Sequence, residues 1–124
     1  MLRFEKMRDD LRDAKAVFER LDAVQLVKHA FGLRSAVQRE GRRGKQPVLF
    51  YLYAEPFHWN DGRPVLQSEL QRHRIEMARF AGAVAGDEVA FVARSYSEVL
   101  TSWRACPDEG VRAHADALEA RFQP

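Results

Sequence analysis

Cysteine is nearly absent from this 124-residue chain: Cys106 is the only one. A disulfide framework within the chain is excluded, and so sparing a use of thiols fits a reducing compartment. Long apolar runs are missing as well. None approaches the roughly 20 residues that a bilayer-spanning helix needs. The opening "MLRFEKMRDDLRD" carries a charge every few residues and lacks the apolar stretch of a signal peptide. A cytoplasmic protein is the expectation. Chemical signatures are equally scarce. There is no glycine-rich phosphate loop of recognised spacing, no paired-cysteine metal site and no HExxH. The four histidines, His29, His58, His73 and His114, are scattered without ligand spacing. Cys106 precedes a proline, and although Arg104 is near in sequence, a structural thiol is the preferred reading.

What is present describes one modest α/β domain, residues 1–124. The length suffices for one real core, and 46% hydrophobic with 31% charged residues fits a globular protein. Residues 3–21 read as a helix, with Phe4, Met7, Leu11, Ala14, Phe18 and Leu21 on one stripe. Asp22 can cap a second helix over 23–38, apolar round much of its circumference, with a narrow polar stripe of Gln25, Lys28, His29 and Ser35. Residues 47–54 form a continuous apolar run, which predicts a strand covered on both faces. A third helix over 66–85 is stopped by Gly86-Asp87, and 88–94 make a second apolar strand. Ser95-Tyr96-Ser97-Glu98 spells a capping box for a fourth helix, and Asp108 can cap a fifth. The order is α-α-β-α-β-α-α, a small parallel sheet with a βαβ unit flanked by helices. Two strands leave unpaired edges, so self-association, or pairing with a complementary chain, is expected.

Two clusters carry potential chemistry. Arg34, Arg39, Arg42, Arg43 and Lys45 stand against Glu40 alone, a net +4 in a chain whose total is +2. Local positive charge of this kind attracts phosphates or acidic surfaces. Gln25 and Lys28 lie just upstream on the second helix, although a solvated loop and a lysine reaching to solvent fit the same residues. The second cluster follows the first strand in "EPFHWNDGRP" (55–64). Ligand clefts form beyond the carboxyl ends of strands in α/β folds, and Glu55, His58 and Asp61 there can serve as an acid–base or divalent-metal set. A polar loop with Phe57 and Trp59 over the sheet end fits them too.

The stretches "LDAVQLVKHAFGL" (21–33), "PVLFYLYAEP" (47–56), "HRIEMARFAGAVAGDEVAFVARSYSEVLTSW" (73–103) and "VRAHADALEARF" (111–122) together resemble the C-terminal half of an uncharacterised bacterial family of PD-(D/E)XK, or restriction-endonuclease-like, nucleases. The resemblance covers nearly all of the chain from Leu21 onward. It implies that Gln25 and Lys28 lie on the helix that often supplies a further Gln or Lys to the nuclease site, and that 47–54 are the core strand after it. It also implies an Asp strand and a (Asp/Glu)-x-Lys strand before Leu21, holding Mg²⁺ for phosphodiester hydrolysis. The twenty residues there read as helical, and Asp13-Ala14-Lys15 puts its alanine on the apolar stripe. The expectation is a nuclease-like half-domain without the catalytic strands. It binds the DNA or RNA phosphate backbone, or a complementary chain, through Gln25, Lys28, Arg34, Arg39, Arg42, Arg43 and Lys45. Mg²⁺ is required only if another chain supplies the catalytic half. A small α/β enzyme using Glu55, His58 and Asp61, or a homo-oligomeric interaction module, are the alternatives.

Overall fold

Helix caps and the residues that break periodicity divide the chain where the sequence suggests, with one exception near its start. A computed structural model describes residues 1–41 and 44–122. Its elements are α1 (Leu2–Arg12), α2 (Ala23–Arg39), β1 (Val48–Tyr53), α3 (Gln67–Val84), β2 (Ala90–Ser95), α4 (Tyr96–Arg104) and α5 (Glu109–Phe122). The fold is mixed α/β in the expected order, and β1 and β2 form a two-stranded parallel sheet. Among the described residues, no helix is long and apolar enough to cross a membrane.

The chain divides into two compact units. The first comprises Met1–Phe50 and Gln67–Val92. Phe80 of α3 is its centre, fully buried and met edge-on by Phe4, Phe18 and Phe91, with ring centroids 6.2, 6.1 and 5.0 Å away. Edge-to-face pairs add about 0.5–1.5 kcal/mol each beyond the area they bury. Leu26, Val27 and Ala30 of α2 and Met77 and Val84 of α3 are also buried in the core. Gly86, at φ 80°, ends α3 in a conformation that costs glycine nothing. The next residue, Asp87, turns its carboxylate to the Phe4 N–H at 2.9 Å and so satisfies an orphan donor in the first turn of α1.

The exception is the helix expected over 3–21, which stops at Arg12. Ala14 takes the left-handed conformation, φ 57°. The Lys15 N–H donates to the Asp10 carbonyl at 2.8 Å and the Ala14 N–H to Leu11 at 3.3 Å, the two bonds of a Schellman ending. Phe18 and Leu21 continue the helical spacing, yet they reach the core from irregular backbone: Phe18 against Phe80, Leu21 buried. A carboxylate holds that backbone in place. Glu76 of α3 is 6% exposed and accepts from the N–H groups of both Glu19 and Arg20, its two oxygens lying 2.5–3.1 Å from the nitrogens. Burial pushes its pKa up. The N–H groups of Arg20, Glu19 and Leu21 and the nearby Arg79 guanidinium outweigh burial and hold it below the usual carboxylate value. Arg79 also lies over the Phe18 ring, 4.1 Å from its centroid.

The second unit comprises Tyr51–Leu66 and Ala93–Pro124. Ser95 is both the last residue of β2 and the N-cap of α4. Its hydroxyl accepts from the Glu98 N–H at 3.0 Å, and the Glu98 carboxylate accepts from the Ser95 N–H, completing the expected capping box. Asp108 caps α5 through the Val111 N–H at 3.1 Å. Leu100 of α4 and Ala115 of α5 are buried, Trp103 stacks on His114, and Arg104 pairs with Asp116 at 3.1 Å.

The strand pattern departs from expectation in one respect. β1 is not covered on both faces: Leu49 is buried, but Val48 and Phe50 are 47% and 51% exposed. An unbroken apolar run marks a strand flanked by layers on both sides only when the layers exist, and Val48 and Phe50 reach solvent instead.

Candidate nucleic-acid interface

An α-helix advances about 100° per residue, so Gln25, Lys28, Gly32, Ser35 and Arg39 form one continuous stripe along α2. All five are exposed, as is His29 at the stripe's border. Lys28 and Arg39 stand at nearly the same azimuth, roughly 16 Å apart along the axis at about 1.5 Å per residue. Among the described residues, Lys28, Arg39 and Lys45 make no ion pair. Lys45 is exposed in the segment leading into β1. Gln25 also takes part in the start of the helix, where its N–H donates to the Asp22 cap at 3.1 Å.

Arg34 is placed differently. It lies roughly 120° or more round the helix from Lys28 and Arg39 and is half-buried, its Nε donating to Glu88 at 3.0 Å. The sequence grouped it with the other cations because they are close along the chain, but the helical turn carries it to another face and a carboxylate compensates its charge. Arg42 and Arg43 lie outside the described residues.

Lys28 stands between two surface grooves. One, of about 480 Å³, is floored by Leu11, Val24, Val27 and Phe31 and rimmed by Arg8, Arg12 and Lys28. Arg8 and Arg12 are engaged there with Asp9 and Asp13. The other, of about 460 Å³, separates α2 from the start of β1 and is lined by Lys28, His29, Gly32, Leu33, Val48 and Leu49. Sequence reading missed this second groove, because it depends on β1 lying beside the polar stripe of α2. The exposed Gly32 between polar residues was the available signal.

The residues after β1 fold into a small hairpin. Trp59 donates to the Arg63 carbonyl at 2.8 Å and Val65 to Phe57 at 2.9 Å, while His58 and Pro64 form an antiparallel bridge. Gly62, φ 87°, turns the tip. Asp61 is committed within this turn: its carboxylate accepts from the Arg63 N–H at 3.1 Å and from the Arg63 guanidinium at 2.6 Å. Those two bonds hold its pKa below the usual carboxylate range, which makes it a poor proton acceptor near neutral pH. His58 is exposed and Glu55 is half-buried. Cys106 is a half-buried free thiol, and its carbonyl accepts from Arg112 at 2.7 Å.

The chain's residues do not fit the Mg²⁺ site that the family resemblance implies. Neither β1 (VLFYLY) nor β2 (AFVARS) carries a carboxylate. Asp13-Ala14-Lys15 occupies the end of α1, not a strand. Among the described residues, no group of three or more His, Cys, Asp or Glu is gathered to hold a metal ion. No family model, no curated protein and no solved structure matches this chain.

Proposed function

We propose that this chain is a non-catalytic, nuclease-like half-domain that binds the phosphate backbone of a nucleic acid along the exposed stripe of α2. The observation that carries the reading is the alignment of Lys28 and Arg39, with no ion pair among the described residues, on one side of a single rigid helix. Gln25 and Ser35 lie along the same stripe and offer neutral hydrogen bonds, and Lys45 extends the charge beyond the helix. A rigid element holds cations at a fixed spacing with less entropy to lose on binding than a loop. The resemblance to restriction-endonuclease-like proteins supports the same helix as the one that faces nucleic acid. Arg34 contributes little in this reading, since it faces away from the stripe and is already paired with Glu88.

The test is the salt dependence of binding to labelled oligonucleotides, followed by fluorescence anisotropy. Each neutralised phosphate adds roughly 0.7–0.9 to the slope of log K against log salt. Lys28→Ala and Arg39→Ala should each lower that slope by about this amount and weaken binding about fivefold at physiological salt. The reading expects no Mg²⁺-dependent cleavage. Binding that ignores salt, or is absent, overturns it.

A further inference from the structure

The phosphate stripe borders the groove between α2 and β1, and the two surfaces meet at Lys28. Lys28 and His29 supply the polar wall of the groove, Val48 and Leu49 the apolar one, and Gly32 lies between them. A Cβ built on Gly32 would meet no heavy atom within 4 Å. Its φ is not positive, so the helix has no conformational need of glycine, which is among the least favourable residues in a helix interior. The effect of glycine here is to leave α2 flat where it faces the groove. On β1, Pro47 accepts the Ala90 N–H at 3.0 Å. The two-residue period of a strand then turns the N–H and C=O groups of Val48 and Phe50 to the edge away from β2. Phe50 shares the exposed face of Val48 and is itself 51% exposed.

We propose that this groove receives a base of a single-stranded nucleic acid whose adjoining phosphate is held by Lys28. The inference rests on the phosphate-binding reading and names the kind of strand that it takes. Charge complementarity selects the occupant: among the described residues no carboxylate lines the groove and Lys28 makes no ion pair. The flat helix surface at Gly32 admits a planar ring, Val48 packs on its face, and Phe50 offers a stacking surface for the next base. A cationic track combined with apolar or aromatic platforms is the pattern of single-strand binding, because every base has a π-face and a duplex keeps those faces stacked.

The experiment compares a labelled oligothymidylate of about twelve nucleotides, an oligouridylate, a duplex and an abasic sugar–phosphate oligomer of equal length, for the wild-type chain, Gly32→Leu and Phe50→Ala. Single strands should bind about tenfold more tightly than the duplex or the abasic oligomer, the worth of about one stacked base. Gly32→Leu fills the groove and should bring the single strands down to the abasic level with the salt slope unchanged, while its unfolding temperature equals or exceeds that of the wild type. Phe50→Ala should weaken single-strand binding by a smaller factor. The tighter of thymidylate and uridylate names the natural strand, and either result supports the proposal. Equal affinity for abasic and normal strands, or wild-type affinity in Gly32→Leu, overturns the base-binding groove while the phosphate stripe stands. Loss of salt-dependent binding to every oligomer overturns both.

Discussion

Replacing Glu76 by glutamine tests the account of how the segment between α1 and α2 is held. The substitution keeps size and shape and removes one charge and one acceptor. In the native chain both carboxylate oxygens accept from the N–H groups of Glu19 and Arg20, in a site that is 6% exposed. A hydrogen bond to a charged group contributes about 1.5–3 kcal/mol, a neutral one about 0.5–1.5. Glutamine keeps one oxygen for one N–H and sets its own NH₂ against the other. One charged bond becomes neutral, and the second becomes a buried donor facing a donor. The expected loss is about 2–4 kcal/mol, which lowers Tm by roughly 8–15 °C for a chain of this size. The pH dependence has a definite sign. The folded-state pKa of Glu76 lies below its ordinary value of 4.5, so the stabilisation is fully present above about 4.5 and disappears as pH falls through the lower, folded value. Denaturant titrations of both proteins at pH 7 and at pH 3 should therefore show a larger difference at the first than at the second. The amides of Glu19 and Arg20 should exchange faster with solvent in the variant. A loss under about 0.5 kcal/mol at neutral pH, or a difference that stays constant down to pH 3, refutes the anchoring role.

Two further outcomes follow from the same structure. Ala14→Gly should stabilise the chain by about 1 kcal/mol, seen as a rise in Tm, because the left-handed conformation at φ 57° penalises alanine and not glycine. On the proposed phosphate-stripe reading, Arg34→Ala should change nucleic-acid affinity less than about twofold, in contrast to Lys28→Ala, because Arg34 faces away from the stripe and is already paired with Glu88; an equal loss in both would overturn that distinction.

The element order was legible because local signals agreed. The Asp22 cap, the Ser95–Glu98 capping box, the Gly86 stop and the apolar strands all appear as read. The end of α1 was hidden for a physical reason: Phe18 and Leu21 fall at helical spacing from Phe4 and Met7, and periodicity reports which residues are buried, not which backbone buries them. The Glu76 anchor was hidden by the same error, since amides inside a helix at positions 19 and 20 would have no need of an outside acceptor. Coverage of β1 was overestimated because its sequence carries no information about how many layers flank it. In the candidate interface, Gln25 and Lys28 were visible from helical spacing. Nearness along the chain could not show that Arg34 stands on another face of α2 from Lys28 and Arg39, because a helix separates neighbours in sequence and joins residues three, four, seven or eleven apart.

Anchoring through main-chain amides has an unequal effect on the positions involved. The carboxylate of Glu76 meets groups that every amino acid except proline possesses. Positions 19 and 20 are therefore open to almost any exchange as far as the clasp is concerned, while a proline at either would remove one of its two donors. At position 76 the tolerance is reversed: two acceptor atoms on a side chain of the right reach are needed, and of the twenty residues glutamate alone supplies both without moving the helix beneath it.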